Sequence, residues 1–236
     1  MSIARLTADV EPPHSEHVGP ILSTTNMSHP IAQNDPEELL EVFDADGGPS
    51  GVARSRAAIH VAGDWHQAFH CWIVRDGPRG EELVLQRRSL AKDTFPGYWD
   101  AAAAGHWRYG ESAAQAAREI QEELGLDVPF DALRWVARET IDRDHPNGLI
   151  DREHHQVYAL RWPAPLDTYR PDPREVWMLG AFPRAELVAL AAGERPAVEA
   201  ADAVAVAPDG SLEPAPVTLA AGELVPYSAD RLRRVR

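Results

Sequence analysis

The sequence predicts an α/β fold with a mixed β-sheet. Three observations point there. Strand-like runs recur between about residues 38 and 180, an amphipathic helix with start and stop signals spans 112–125, and a second helical run ends at Gly193. Interleaved strands and helices of this kind build a sheet covered by helices.

Taken in order, residues 1–35 are rich in Pro, Ser, His and Thr without sustained periodicity, which predicts a disordered N-terminal extension. Residues 36–236 read as one domain, best supported over about 37–190. EELLEVFDADGGPSG (37–51) is a short strand running into a turn at Asp46, Gly47, Gly48 and Pro49. AFHCWIV (68–74) and ELVLQRR (82–88) flank the loop DGPRGE, the signature of a hairpin. GYWDAAAAG (97–105) reads as extended, and ALRWVARETI (132–141), HHQVYALRW (154–162) and EVWML (175–179) as further strands. PRAELVALAAG (183–193) is a helix that Gly193 can end. Residues 194–225 are rich in Ala, Pro and Glu and uninformative, and YSADRLRR (227–234) predicts a short basic helix.

Composition narrows the function. The 236 residues are 44% apolar, enough for a sizeable core, and carry a formal net charge of -14. That charge argues against non-specific binding to nucleic acid or to an anionic membrane, both of which need a basic surface. A phosphate-bearing substrate would need locally placed cations. Cys71 is the only cysteine, so no intramolecular disulfide can form. No apolar run reaches membrane-spanning length and the first 30 residues lack a signal-peptide segment, so a soluble cytoplasmic protein is expected.

The chemistry concentrates in GHWRYGESAAQAAREIQEELGL (105–126). Ser112 with Gln115 three residues later forms a capping-box pattern, and Gly125 is a stop signal. At about 100° per residue, Ala113, Ala116, Ala117, Ile120 and Leu124 share one face, while Glu119, Glu122 and Glu123 share another. Carboxylates at i, i+3 and i+4 repel each other on a bare helix. A divalent cation removes that penalty. Hard cations such as Mg²⁺ take oxygen ligands and keep positions for phosphates, so this face suits a metal held against a diphosphate. The competing reading is a solvated charged face.

These residues resemble the Nudix box: Gly105, five residues, Glu111, then Arg118-Glu119-Ile120-Gln121-Glu122-Glu123-Leu124-Gly125-Leu126. The second half matches in full. The first half departs, because six residues rather than seven separate Glu111 from Arg118, a loss expected to be absorbed at the loop and cap. The resemblance implies a Nudix-type α/β/α sandwich and a pyrophosphohydrolase using Mg²⁺ (or Mn²⁺) on a small-molecule diphosphate. It implies Glu119, Glu122 and Glu123 as catalytic positions, with Glu122 and Glu123 foremost among the metal ligands and Glu119 orienting water or joining the metal site. Arg118 would hold Glu111, itself a candidate ligand, and the Ala104 carbonyl would face the metal.

Over roughly residues 37–165, from DADGGPSGVARSRAAIH to GHWRYGES, the chain also resembles the isopentenyl-diphosphate-isomerase-like branch. That implies a second metal site at His60, His66, His106, Asp151 and Glu153, and diphosphate contacts at Arg56, Arg88 and Lys92. His60 and His66 are six residues apart where the isomerase has seven. Ala104 stands where the isomerase has its cysteine, and alanine transfers no proton. Hydrolysis is therefore expected, with the isomerase and a catalytically silent nucleotide-binding Nudix fold as alternatives.

Overall fold

A computed structural model describes residues 35–236, so the extension expected at the N-terminus lies, but for its last residue, outside the described residues. β1 (Leu39–Phe43) and β2 (Pro49–Ser55) form a hairpin. Its turn closes where Asp44 Oδ1 accepts the N–H groups of Asp46 and Gly48 at 2.9 and 2.8 Å. Helix α1 (Arg56–Ala62), unexpected from the sequence, follows at once. Ser55 Oγ caps it by accepting from Ala58 N–H, and Gly63, left-handed at φ 66°, ends it. These seven residues, about two turns of helix, deliver Arg56 and His60.

β3 (His66–Gly77) is the central strand, and its period of two divides the core. Phe69, Cys71 and Ile73 join one apolar cluster, Trp72 and Val74 the other. β4 (Gly80–Arg88) returns antiparallel as the predicted hairpin. β5 (Trp99–Asp100) and β6 (Ala103–His106) are the extended GYWDAAAAG run, pairing with β4 and β3. The acidic helix comes next, in two pieces: α2 (Ala113–Ala116) and α3 (Arg118–Leu124). β7 (Leu133–Asp144), β8 (Ile150–Arg161), β9 (Val176–Pro183) and α4 (Arg184–Ala191) match the remaining predicted runs.

Residues 194–225, on which the sequence pattern is uninformative, are structured. They hold β10 (Ala197–Glu199), β11 (Asp202–Val206), β12 (Leu212–Pro214) and β13 (Thr218–Ala220), before α5 (Ala229–Arg234) ends the chain as predicted. Strands of three to five residues are too short to display a period. Their pairing with distant partners, such as β11 with β9, supplies what local pattern lacks.

The main sheet runs β12-β11-β9-β4-β3-β8-β7 and is mixed, since β3 and β8 are parallel while their other neighbours are antiparallel. Ile120 and Leu124 of α3 cover one face; Leu187 and Leu190 of α4 and Leu232 of α5 cover the other. This is the expected three-layer sandwich. Each such side chain contributes about 1.5–3 kcal/mol on full burial. The parallel pairing sets His66 opposite Glu153 at one end of the sheet. Among the described residues no helix is long and apolar enough to cross a membrane.

Candidate active site

The acidic helix starts and stops where its signals lie. The Ser112 backbone N–H donates to Gln115 Oε1 at 3.0 Å. Gly125 closes the helix at φ 66°, where an added Cβ would meet the Arg170 carbonyl oxygen at 2.6 Å. Between those ends it breaks. Ala117 has ψ -7°, well off the helical value of about -42°. The Ile120 N–H reaches back three residues to the Ala117 carbonyl, at 3.1 Å, instead of four. The residue missing between Glu111 and Arg118 is therefore absorbed inside the helix, contrary to the expectation of loop and cap. A local tightening at Ala117 disturbs less than turning the whole carboxylate-bearing half by about 100°.

The consequence is that Arg118 still meets Glu111, Nε to Oε1 at 2.8 Å. The second Glu111 oxygen accepts the Arg108 N–H at 2.9 Å. Both oxygens of Glu111, expected among the metal ligands, are thus engaged, one by the Arg108 N–H and one by Arg118. That guanidinium also pairs with Glu119, and with Glu122 at 2.9 Å.

Glu119 and Glu123 turn inward, whereas Glu122 stays 47% exposed. The Glu119 carboxylate lies against Gly105, where a Cβ would come within 2.2 Å of its carbon and push the carboxylate out of this place. Glu123 Oε2 accepts Gln86 Nε2–H at 2.8 Å and the Ala104 N–H at 3.0 Å, and Oε1 lies 3.5 Å from Lys92 Nζ. Burial pushes the Glu119 carboxyl up to about 8, against the pull of Arg118 and with the help of Glu123 and Glu122. Burial likewise raises Glu123, with Lys92 opposing. Two buried carboxyls that resist ionisation are short of positive charge, and an all-oxygen donor set fits Mg²⁺ or Mn²⁺. On β6 the Ala104 N–H points away from β3, and in an extended strand the carbonyl of the same residue points to the same side.

The three expected phosphate cations line the same cavity, of about 890 Å³, and each is ion-paired. Arg56 meets Asp93 at 2.6 Å, Arg88 meets Asp100 at 2.8 Å, and Lys92 lies between Glu123 and Glu175.

The expected histidine site also assembles around this cavity. The rings of His60, His66 and His106 form a triangle with centroids 4.9, 5.1 and 5.0 Å apart. Glu153 Oε1 lies 3.4 Å from His66 Nε2 and 3.2 Å from His106 Nε2. Backbone carbonyls set two of the tautomers: His60 Nδ1 donates to the Arg56 oxygen at 2.7 Å and His66 Nδ1 to the Asp64 oxygen at 3.0 Å. A carbonyl only accepts, so both Nδ1 atoms carry a proton, and Nε2 faces Asp151 in His60 and Glu153 in His66, each at 3.4 Å. His66 Nε2 and Asp151 Oδ1 are buried without a hydrogen-bond partner. Such orphans, with three imidazoles and a carboxylate converging, fit a transition-metal cation. Asp151 stands at the edge of the group, 3.4 Å from His60 Nε2 and holding His145 Nε2 at 2.6 Å. Burial alone would raise the Glu153 carboxyl, yet His155, His106 and His66 hold it well below the usual carboxylate range. Burial pushes His106 down to about 3 and, together with His66, lowers His60.

The family pattern described as NUDIX domain matches residues 64–203, more than half of the chain. The chain belongs to the NUDIX domain family. It is 35% identical over 133 residues to an uncharacterized Nudix hydrolase, CA_C0446, of Clostridium acetobutylicum, covering 56% of this chain. The chain thus spans 64% of that relative's length, just under two thirds. It is 36% identical over 154 residues to an isopentenyl-diphosphate Delta-isomerase of Streptomyces griseus, covering 63% of this chain and 73% of the relative. Among solved structures, that of DR0079 from Deinococcus radiodurans shares the fold, with a TM-score of 0.50 and 24% identity over 66% of this chain and 90% of its own.

Several groups in this Nudix cavity carried no sequence signal of their own. Glu175, Asp172 and Arg174 come from the strand-entry loop before β9, and Tyr227 from the turn before α5. Tyr227 donates its hydroxyl to Asp100, the partner of Arg88, so the C-terminal segment reaches the cavity wall beside Arg88. His70 and His155 stack at 3.9 Å beside Glu153. Their presence in HCW and EHH was visible, but not the register that brings them together.

Proposed function

We propose that the chain is a Nudix pyrophosphohydrolase that cleaves the diphosphate bond of a nucleoside-diphosphate-linked or related small molecule, with Mg²⁺ or Mn²⁺ held by Glu122, Glu123 and Glu119. The observation that carries this reading is the convergence of buried Glu119 and Glu123 beneath Gly105 and Ala104 at the cavity wall. When bound there, a divalent cation would neutralise diphosphate oxygens and sharpen the acidity of an attacking water. Glu119, buried against Gly105 and paired with Arg118, would join the cation site or orient the attacking water. Arg118 holds Glu119 and Glu122 in register, and Glu111 holds Arg118. Arg56, Arg88 and Lys92 attract and orient the diphosphate in an otherwise acidic protein. The buried, unpaired Cys71 fits a reducing compartment such as the cytoplasm.

His60, His66, His106 and Glu153, with Asp151 beside them, are read as a second cation site. This framework favours one other reading, an isopentenyl diphosphate isomerase, the activity in the name of the Streptomyces relative. Ala104 weighs against it, since proton transfer to and from an allylic system needs an acid and a base on opposite faces of the substrate. The test is a panel of nucleotides, nucleotide sugars, dinucleotides and prenyl diphosphates with Mg²⁺, scored separately for phosphate release and double-bond migration. Hydrolysis of at least one compound is expected, with no allylic isomer formed. Robust isomerisation with no hydrolysis across the panel would reverse the choice.

A further inference from the structure

Glu153 touches two sets of histidines that differ in kind. On one side stand His66 and His106, whose Nε2 atoms lie 3.4 and 3.2 Å from Oε1, with His66 Nδ1 donating to the Asp64 carbonyl. His155 is set the other way. Its Nδ1 faces Arg231 Nη2 at 3.2 Å, and a guanidinium has no lone pair to offer. Nδ1 must accept, so the proton sits on Nε2, which donates to Glu153 Oε2 at 2.5 Å. His70, Glu153 and His155 lie close enough to hold a metal, but a protonated Nε2 beside a guanidinium excludes one there.

Arg231 itself is held with care. It belongs to α5 yet is only 1% exposed, its Nε donates to Glu139 Oε2 at 2.5 Å, and its guanidinium carbon lies 4.4 Å from the Tyr227 ring centre. Glu139 on β7, Arg231 on α5, and His155 and Glu153 on β8 thus form one line into the histidine site. A surface helix has no packing need to bury an arginine, and doing so carries a desolvation penalty that Glu139 offsets.

We propose that Arg231 and His155 are positioning residues for Glu153: by fixing the His155 tautomer, the C-terminal helix keeps Oε2 occupied and leaves Oε1 turned toward His66 and His106. The inference rests on reading His60, His66, His106 and Glu153 as a cation site, and it extends that site to an arginine 78 positions beyond Glu153 in the chain. Outer partners of this kind change metal affinity by about 10–100-fold when removed.

The experiment is a Co²⁺ titration of the full chain in excess Mg²⁺, followed by visible absorption, with circular dichroism and thermal unfolding to verify the fold of each variant. Wild type should bind Co²⁺ with nitrogen ligation that His106→Ala abolishes, which tests the site itself. Arg231→Met and His155→Ala should each weaken Co²⁺ about 10–100-fold. His155→Gln should stay close to wild type, because an amide carries its N–H donor without needing a partner to set a tautomer. In the His155→Gln background, Arg231→Met should add little. Glu139→Gln, which leaves Arg231 in place on a weaker tether, gives a milder loss should Arg231→Met fail to fold. Wild-type affinity in the His155→Ala and Glu139→Gln variants would overturn the proposal. So would an Arg231→Met loss of equal size in both backgrounds, which would mean that Arg231 acts through the fold alone. Absence of any His106-dependent Co²⁺ signal in wild type would remove the site and this inference together.

Discussion

Glu123→Gln separates a metal-holding helix from an ordinary charged one. The side chain is 3% exposed and its two oxygens have distinct tasks. Oε2 accepts from Gln86 and Ala104, and an amide oxygen can take over both bonds at nearly unchanged volume. Oε1 faces Lys92 at 3.5 Å, and there the amide nitrogen replaces an acceptor with a donor. Lys92 keeps Glu175, so it is not left unpaired. Because burial already disfavours the Glu123 charge and Lys92 retains Glu175, its loss should leave the metal-free protein folded. Catalysis should respond differently. A lost ligand removes several kcal/mol of transition-state stabilisation, which at about 1.4 kcal/mol per tenfold is on the order of 10²–10⁴ in turnover. The assay is phosphate release from the best substrate in the panel at saturating Mg²⁺, paired with the Mg²⁺-induced shift in thermal unfolding. Turnover and shift should both fall, while the unfolding curve in chelator stays put. A variant that retains wild-type turnover and the full Mg²⁺ shift would refute the metal helix and return these glutamates to a solvated face.

Lys92→Ala is expected to raise the Michaelis constant by roughly tenfold while lowering turnover less, as for a cation that holds the diphosphate equally in ground and transition states. Unchanged kinetics would confine Lys92 to its Glu123 and Glu175 pairs. Arg88 should follow the same kinetic pattern, but Arg88→Ala also leaves the Asp100 charge buried with only Tyr227 and the Ala101 N–H and no cation, so a stability loss of about 3–5 kcal/mol is expected, measured by urea unfolding. Glu119 predicts a pH effect in chelator. Its folded-state value of about 8 lies above the ordinary 4.5, so the proton it keeps stabilises the fold fully at low pH and that contribution is lost as pH rises through this window. The stability of wild type relative to Glu119→Gln should therefore fall by up to about 1.4 kcal/mol per pH unit between about pH 5 and 8. A flat difference in urea midpoints would show the carboxyl ionised throughout.

How much of this was legible depended on the distance over which each residue acts. The 12-residue strands β3, β7 and β8 were visible as runs rich in apolar, β-branched and aromatic residues, and Gly193 and Gly125 mark helix ends by local chemistry alone. Helix α1 was hidden because its seven residues hold two apolar turns at most, and its Ser55 cap lies in a stretch that reads equally well as a turn. The acidic helix face was legible from spacing, and the histidine framework only from a family resemblance. Nothing local ties His155 to Arg231 or Tyr227 to Asp100, which are 76 and 127 positions apart. Those pairs exist because β3 and β8 lie parallel in one register and because α5 folds back over the sheet, and register is a property of the whole sheet.

The short box shows the same limit at the scale of one helix. Spacing alone predicts that deleting a residue rotates Glu111 away from the later glutamates, and this would be true of a rigid helix. The chain instead spends the deficit at Ala117, between two short helices, where the flanking positions are anchored independently. Ala116, Ile120 and Leu124 are buried in one apolar cluster, so the carboxylate-bearing half cannot turn without exposing its apolar face. Glu111 is anchored on the other side by the Arg108 N–H. With both ends fixed, the one element free to adjust was the backbone joining them. What the first half of the motif preserves is therefore the Glu111 to Arg118 ion pair rather than a count of residues, and that pair is what aligns Glu119 and Glu122.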